Sequence, residues 1–116
     1  MSFLRKVSAY KHYFLDFYHA QNEALQLKIE WILKLIETTQ HVPEKYFKHI
    51  ENTKGLYEIR IEYKSNIYRI FAFFDKGQLI ILCNAFQKKT NKTPKQAIQK
   101  ALKIMEEYHR EQKSKQ

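Results

Sequence analysis

The chain has 116 residues and carries 21 Lys and Arg against 12 Asp and Glu, so its formal net charge is +9. This length predicts one domain over residues 1–116, with a core that needs no metal or disulfide. A single cysteine excludes an internal disulfide, and no apolar run is typical of a signal peptide or a membrane span, so we expect a cytoplasmic protein. The charge favours RNA, DNA or an acidic protein as partner, without choosing among them.

The first third of the chain predicts two helices after an extended segment. Residues 3–10 mix apolar and basic side chains and indicate an edge strand or an ordered arm. Residues 11–19 place aromatic side chains at helical spacing, which predicts a short helix. Asn22 is a typical N-cap for a long amphipathic helix that ends near Gln40. Its predicted buried stripe consists of Leu25, Ile29, Ile32, Leu33 and Ile36.

Two prolines mark further helix boundaries. Pro43 cannot continue the long helix, and residues 44–50 are interpreted as one or two further helical turns. Near the end of the chain, Thr93 as N-cap and Pro94 as first helical residue predict a last helix. Residues 111–116 are expected to be a frayed tail. The predicted buried stripe of the last helix consists of Ile98, Ala101, Leu102, Met105 and Tyr108.

Residues 55–89 alternate between apolar and polar side chains, which is typical of strands that cover a core with one face. A two-residue turn at Lys64-Ser65 joins the first two strands and places Arg60 and Arg69 side by side on the polar face. The opposite, core face then consists of Tyr57, Ile59, Ile61, Tyr63, Tyr68, Ile70, Ala72 and Phe74.

The second turn, at residues 75–78, does not decide which face of the sheet each side chain of the third strand occupies. With a two-residue loop, the core face continues through Leu79, Ile81, Cys83 and Ala85. The arginine face then gains Asn84, Phe86 and Lys88. A three-residue loop with a glycine bulge is equally compatible with this sequence and inverts the third strand. In either case the pattern predicts an α+β fold, with the helices on one face of an antiparallel meander and the arginine face left for solvent or a partner.

Three blocks of sequence resemble the phage-derived HigB-like branch of the RelE/ParE superfamily of bacterial toxins. They are G-L-Y-E-I-R at residues 55–60, N-I-Y-R-I-F-A-F-F-D-K-G at 66–77, and F-x-K-K-x-x-K-T-P-K-x-x-I-x-x-A at 86–101. The resemblance covers nearly the whole chain and implies a compact α+β domain with a curved antiparallel sheet. It also implies a ribosome-dependent endoribonuclease that cleaves mRNA without a cofactor. The implied partner is an antitoxin, here expected to be a HigA-like helix-turn-helix protein.

The resemblance assigns candidate site residues to this chain. Arg69 matches the arginine that contacts the scissile phosphate in RelE-like toxins, and Arg60 matches a basic residue of the preceding strand. Lys88, with Lys89 after it, matches the basic step that follows the last strand of the meander. The chain departs from the RelE pattern where that pattern has a lysine proposed as general base, because Glu62 stands there. Pro94 similarly replaces a functional tyrosine of RelE.

Metal-free RNA cleavage needs a base for the 2′-hydroxyl, cations for the phosphorane and an acid for the leaving 5′-oxygen. Arg60 and Arg69 suit the second task, because guanidinium groups stay charged and hold two phosphate oxygens at once. Lys88 is expected to add charge or donate a proton, and Glu62 or Glu58 to act as base. The candidate RNA-binding residues are Lys64, Asn84, Lys89, Lys92 and Lys95.

Other interpretations remain open on sequence alone. Arg60 could form a surface salt bridge with a nearby glutamate, whereas Arg69 has apolar neighbours on its face and requires an anionic partner. Cys83 is interpreted as a small buried hydrophobe, and the histidine spacings predict no metal site. The alternative functions are a non-catalytic ParE-like inhibitor of DNA gyrase and a basic nucleic-acid-binding module.

Overall fold

The computed structural model describes residues 3–89 and 94–115. Its strands there are β1 Lys6–Ala9, β2 Phe47–His49, β3 Leu56–Tyr63, β4 Asn66–Asp75 and β5 Leu79–Lys88. Its helices are α1 Tyr13–His19, α2 Glu23–Thr38 and α3 Lys95–Ser114. The strands form one sheet in the order β1-β5-β4-β3-β2. The α+β class is confirmed, with helices from both ends of the sequence packed on the sheet.

The start of the chain forms an edge of this sheet. β1 pairs in parallel with β5, which confirms the edge strand predicted within residues 3–10. The guanidinium of Arg5, just before β1, donates hydrogen bonds to the carbonyl oxygens of Ile36 at 2.9 Å, Thr39 at 2.7 Å and Gln40 at 2.9 Å. Because the last carbonyls of a helix lack intrahelical partners, Arg5 ties the end of α2 to the edge strand.

The long amphipathic helix follows its sequence pattern. The side-chain oxygen of Asn22 accepts a hydrogen bond from the amide of Leu25 at 2.8 Å, as expected of an N-cap. The stripe buried against the sheet consists of Leu25, Ile29, Ile32 and Ile36. Leu33 is half-buried beside this cluster. Among the described parts of the chain, no helix has the length and apolarity needed to cross a lipid bilayer.

Of residues 44–50, only 44–46 form a turn, in which the amides of Tyr46 and Phe47 donate to the carbonyl oxygen of Pro43 at 2.9 and 3.2 Å, and residues 47–50 are not helical. They contain β2, which pairs antiparallel with β3 from Phe47 opposite Ile59 to His49 opposite Tyr57. The ring of Phe47 stacks on that of Tyr57 at a centroid distance of 4.8 Å. The segment is therefore a strand because cross-strand pairing and ring packing outweigh its local pattern.

The helices cover both faces of the sheet, so the prediction that they gather on one face is wrong. α2 packs on one face, here called the α2 face, and α3 packs on the other, the α3 face. The buried side chains beneath α3 are Leu56, Phe71, Phe73, Ile81 and Cys83. Those that α3 itself buries are Ala101, Ile104 and Tyr108. α3 therefore covers much of the face that was expected to be open.

The ends of α3 also differ from the prediction. Pro94 has an extended backbone just before the helix, so it is not the first helical residue, and Thr93 lies outside the described residues. The helix continues to Ser114 rather than fraying from Glu111. Glu111 explains this, because it accepts a hydrogen bond from the hydroxyl of Tyr10 at 2.7 Å and pairs with Lys11 at 3.0 Å.

The side chains of β5 change faces twice relative to the prediction made with a two-residue loop. Asp75 pairs with Leu79, so the loop has three residues and places Ile80 and Leu82 on the α2 face. A bulge follows, because Ala72 pairs with Leu82 while Ile70 pairs with Ala85. Before the bulge, Leu79, Ile81 and Cys83 lie on the α3 face, as the three-residue loop predicts and contrary to the two-residue loop. After it, Ala85, Phe86 and Lys88 lie where the two-residue loop placed them.

The α2 core can be tested with two substitutions on one helix. Ile29 has no exposed surface, whereas Leu27 is 59% exposed. Ile29→Ala should lower the free energy of unfolding by about 2–5 kcal/mol, because it removes buried methylenes and leaves a cavity. Leu27→Ala should change it by less than about 0.5 kcal/mol. Urea unfolding followed by circular dichroism measures both, and equal losses would contradict the packing of α2.

Candidate functional site

Arg60 and Arg69 are direct cross-strand partners on the α3 face, as predicted. The register that pairs them is set by the two-residue turn at Lys64 and Ser65. Their φ angles of 47° and 66° are those of the hairpin turn whose twist matches the flanking strands. Since like charges directly opposite each other repel, this pairing requires carboxylates close by.

Arg69 is buried and has its own carboxylate. The side chain of Arg69 is 10% exposed and that of Glu58 is 12% exposed, and Nη1 of Arg69 donates to Oε2 of Glu58. Burial lowers the pKa of the Arg69 guanidinium from its ordinary value. Arg69 therefore has the anionic partner that its apolar neighbours led us to expect. The prediction that Arg69 lies on an uncovered surface is wrong. On β5 it lies opposite Phe86, whose ring is 5.5 Å from that of Phe71.

Arg60 is the accessible member of the pair. Its side chain is 35% exposed, and Nη2 lies 3.5 Å from Oε1 of Glu62, whose side chain is 66% exposed. This is the surface salt bridge that the sequence allowed as an alternative. An exposed ion pair of this kind contributes little to stability, so the guanidinium of Arg60 can exchange Glu62 for a phosphate at small cost.

The register of β5 places Lys88 near the two arginines. Lys88 lies opposite Ile67, two residues along from the pair formed by Arg69 and Phe86, and it is half-buried. Its pKa is lowered, first by burial and then by the positive charges of Arg69 and Arg60. The three cations therefore act on one another across a single patch of the α3 face.

The candidate RNA-binding residues are spread more widely. Lys64 lies in the turn at the end of the arginine hairpin, Lys89 follows β5, and Lys95 is the first residue of α3; all three are exposed. Lys92 lies outside the described residues. Asn84 is only 7% exposed, and its side-chain amide donates to the carbonyl oxygen of Ala97 at 3.2 Å. Asn84 thus lies buried between α3 and the sheet and not on the open surface, which corrects its assignment to the RNA-binding residues.

Two further observations concern a possible thiol nucleophile and a possible metal site. Cys83 has no exposed surface, and burial raises the pKa of its thiol to about 12. The thiol therefore stays protonated, which confirms its interpretation as a buried hydrophobe. Within residues 3–89 and 94–115, no group of three or more His, Cys, Asp or Glu side chains is arranged to hold a metal ion.

A polar cleft beside Arg60 was missed by the sequence analysis. It has a volume of about 120 Å³ and is lined by Lys28, Ile32, Lys45, Tyr46, Arg60 and Glu62. Lys28 comes from α2, and Lys45 and Tyr46 come from the segment before β2. The available signal was Trp31, at the border of the predicted α2 stripe, which is 52% exposed and whose ring contacts that of Tyr46.

Comparison with protein families places the chain among the toxins of toxin–antitoxin systems, in the RelE-like type. The matching family is described as phage-derived protein Gp49-like (DUF891), and its model matches residues 16–106. The chain belongs to this family, and the match includes the whole arginine hairpin and Lys88. No curated protein matches the chain.

The buried ion pair can be tested by a double-mutant cycle. Glu58→Leu or Arg69→Met alone breaks the buried ion pair and leaves one of its two charges behind, so each should lower the free energy of unfolding by about 3–5 kcal/mol. Combining them removes both charges, and the loss should be much smaller than the sum. Glu62→Leu is the exposed control and should change stability by less than about 0.5 kcal/mol. Additive losses in urea unfolding would exclude a coupled pair.

The lowered pKa of Lys88 predicts a pH-dependent effect on stability. At pH 7 its charge opposes folding, because the folded protein binds that proton less tightly than the unfolded chain does. As the pH rises through the folded-state pKa towards the unfolded value of about 10.4, this penalty disappears. Lys88→Met should therefore stabilise the protein more at pH 7 than at pH 10. Lys89→Met, at the exposed neighbour, provides the control, and a pH-independent difference for Lys88→Met would contradict the assignment.

Proposed function

We propose that the protein is a ribosome-dependent mRNA endoribonuclease that inhibits translation, as HigB-like toxins do. The observation that carries this proposal is the meeting of three groups on one face of the sheet. They are the accessible guanidinium of Arg60, the half-buried amine of Lys88 and the exposed carboxylate of Glu62. Between them they provide the cation, the acid and the base that metal-free RNA cleavage requires.

In the proposed reaction, a phosphate of the mRNA displaces Glu62 from Arg60. The freed carboxylate of Glu62 takes the proton of the 2′-hydroxyl, and the 2′-oxygen attacks the phosphorus. Arg60 stabilises the charge of the phosphorane. Lys88 donates a proton to the leaving 5′-oxygen, which leaves a 2′,3′-cyclic phosphate on the other fragment. A lysine whose pKa is lowered gives up its proton more readily near neutral pH than an ordinary lysine does.

Arg69 and Glu58 have a different role in this proposal. Glu58 is not the base, because its carboxylate holds the Arg69 guanidinium inside the protein. Arg69, whose charge Glu58 largely balances, is fixed beside Arg60 by the strand register and does not contact the phosphate. It also lowers the pKa of Lys88. Arg69 is thus a positioning and electrostatic residue rather than the phosphate clamp that the resemblance implied.

The proposed partners follow from the family and the charge. A toxin of this type implies an antitoxin in general, and we propose a HigA-like helix-turn-helix protein that covers the basic part of the α3 face. On the ribosome, Lys64, Lys89 and Lys95 would bind the RNA backbone without taking part in the chemistry. The net charge of +9 favours both partners. A cytoplasmic location fits a protein that acts on translating ribosomes.

One observation favours a second candidate. The Glu58–Arg69 pair removes one arginine from direct contact with a phosphate, which a non-catalytic inhibitor could tolerate. A ParE-like inhibitor of DNA gyrase therefore stands as the alternative function. The two candidates differ in what happens to mRNA, so the same experiment separates them.

The test is mapping of mRNA 5′ ends after addition of the protein to translating ribosomes. The wild type should produce cuts in phase with codons, and Arg60→Ala should reduce their rate by about 10²–10³-fold, the cost of removing one transition-state donor. Arg110→Ala is the matched control. Arg110 is exposed on α3. Nearby on that helix, Tyr108 donates a hydrogen bond to Asp75, which lies roughly 20 Å along β4 from Arg69.

Two outcomes would contradict the proposal. Full cleavage by a folded Arg60→Ala variant would remove Arg60 from the reaction. Intact mRNA with wild-type protein, together with induction of the DNA-damage response in cells, would exclude the nuclease and support the gyrase inhibitor. A gene for a small helix-turn-helix protein next to this one is expected in both cases.

A further inference from the structure

The indole of Trp31 lies on the surface of α2 and is held in place. Trp31 is the single tryptophan of the chain and is 52% exposed. The ring of Tyr46 contacts it edge to face, with centroids 6.4 Å apart and planes at 80°. Tyr46 is itself packed against the core under α2. The indole is therefore supported from inside while much of its surface faces solvent.

Two lysines accompany these rings. The Nζ atom of Lys28 lies 5.1 Å from the centroid of the Trp31 ring, and that of Lys45 lies 4.9 Å from the centroid of Tyr46. Both distances are within the range of cation–π attraction. The four residues Lys28, Trp31, Lys45 and Tyr46 form what we call the aromatic–lysine surface.

The aromatic–lysine surface continues directly into the arginine hairpin. The amide of Arg60 donates a hydrogen bond to the carbonyl oxygen of Tyr46 at 3.0 Å, so the two backbones are neighbours, about 5 Å apart. The cleft of about 120 Å³ is lined by Lys28, Lys45 and Tyr46 on one side and by Arg60 and Glu62 on the other. A strand of nucleic acid bound at Arg60 can therefore extend past the edge of β3 onto these rings.

We infer that the aromatic–lysine surface is a stacking subsite for a nucleotide of single-stranded RNA next to the phosphate at Arg60. An exposed indole, with a second ring and two cations beside it, matches what bases and phosphates of a single strand require. A duplex offers no free base faces, so it does not fit. The inference deepens the proposed function and rests on it for RNA as the substrate, although binding can be measured without cleavage.

The single tryptophan makes the subsite directly observable. The probe is a hexaadenylate with 2′-O-methyl groups, which cannot be cleaved because it lacks the nucleophilic hydroxyl. Its titration should quench the fluorescence of Trp31, since a base stacks on the indole. A 12-base-pair RNA duplex and tripolyphosphate should leave the fluorescence nearly unchanged. Quenching by tripolyphosphate equal to that by the hexamer would show simple charge binding and overturn the inference.

Variants at one position separate ring stacking from apolar contact. Anisotropy of a fluorescently labelled hexamer provides the affinity when the tryptophan is absent. Trp31→Phe keeps a ring and should bind within a few-fold of wild type. Trp31→Leu keeps an apolar side chain and should bind about 5–150-fold more weakly, the cost of one stacked base. Equal affinity of Trp31→Leu and wild type would overturn the inference.

Leu27 distinguishes RNA from a protein that docks on the same face of α2. It lies one turn before Trp31 and is 59% exposed. Leu27→Ala should not change the affinity for the hexamer, whereas a loss equal to that of Trp31→Leu would indicate an apolar docking surface and overturn the stacking subsite.

Failure of this inference is separable from failure of the proposed nuclease. Normal codon-phased cleavage with unimpaired hexamer binding by Trp31→Leu would reject the subsite and keep the nuclease. Hexamer binding that is weakened by Trp31→Leu, in a protein that leaves mRNA intact, would reject the nuclease and keep an RNA-binding surface. Reduced cleavage by Trp31→Leu, with a melting temperature equal to that of wild type, supports both.

Discussion

One extra residue in β5 determines which side chains meet at the candidate site. Side chains alternate between the two faces of a strand, so an inserted residue moves all later ones to the opposite face. The bulge lies where Ala72 pairs with Leu82 and Ile70 with Ala85. Without it, Lys88 would lie on the α2 face, away from the arginines. With it, the strand buries Cys83 beneath α3 and still places Lys88 beside Arg69.

The second constraint is the repulsion between two guanidiniums on neighbouring strands. Each arginine has a carboxylate as partner, Glu58 for Arg69 and Glu62 for Arg60, and the two pairs are buried to very different extents. Glu58 and Arg69 are nearly excluded from water, so they form a fixed structural pair. Glu62 and Arg60 are exposed, so their contact is weak and exchangeable. Because of this difference in burial, Arg69 contributes to the packing of the sheet, whereas Arg60 remains available to a ligand.

Local patterns predicted what depends on local geometry. The register of the arginine hairpin follows from a two-residue turn, and Asn22 and the α2 stripe follow from helical periodicity. The faces of β5 did not follow, because the sequence allowed two loop lengths and did not predict the bulge. Lys88 lies where the two-residue loop placed it, since the three-residue loop and the bulge each invert the strand. The burial of Arg69 depends on α3 and β5, which lie far away in sequence. The strand at Phe47 likewise depends on Tyr57, and local pattern cannot reveal either contact.

The parallel pairing of β1 with β5 has a consequence for when the fold can be completed during synthesis. Lys6 is the partner of Leu79, and Lys11 forms ion pairs with Glu107 and Glu111. Contacts of such large sequence separation form late, because a long loop must close first. A chain synthesised at about 5–20 residues per second therefore leaves its first strand unmatched until most of the polypeptide exists. A translation product that stops before Leu79 lacks the partners of both β1 and Lys11, so it cannot complete the sheet.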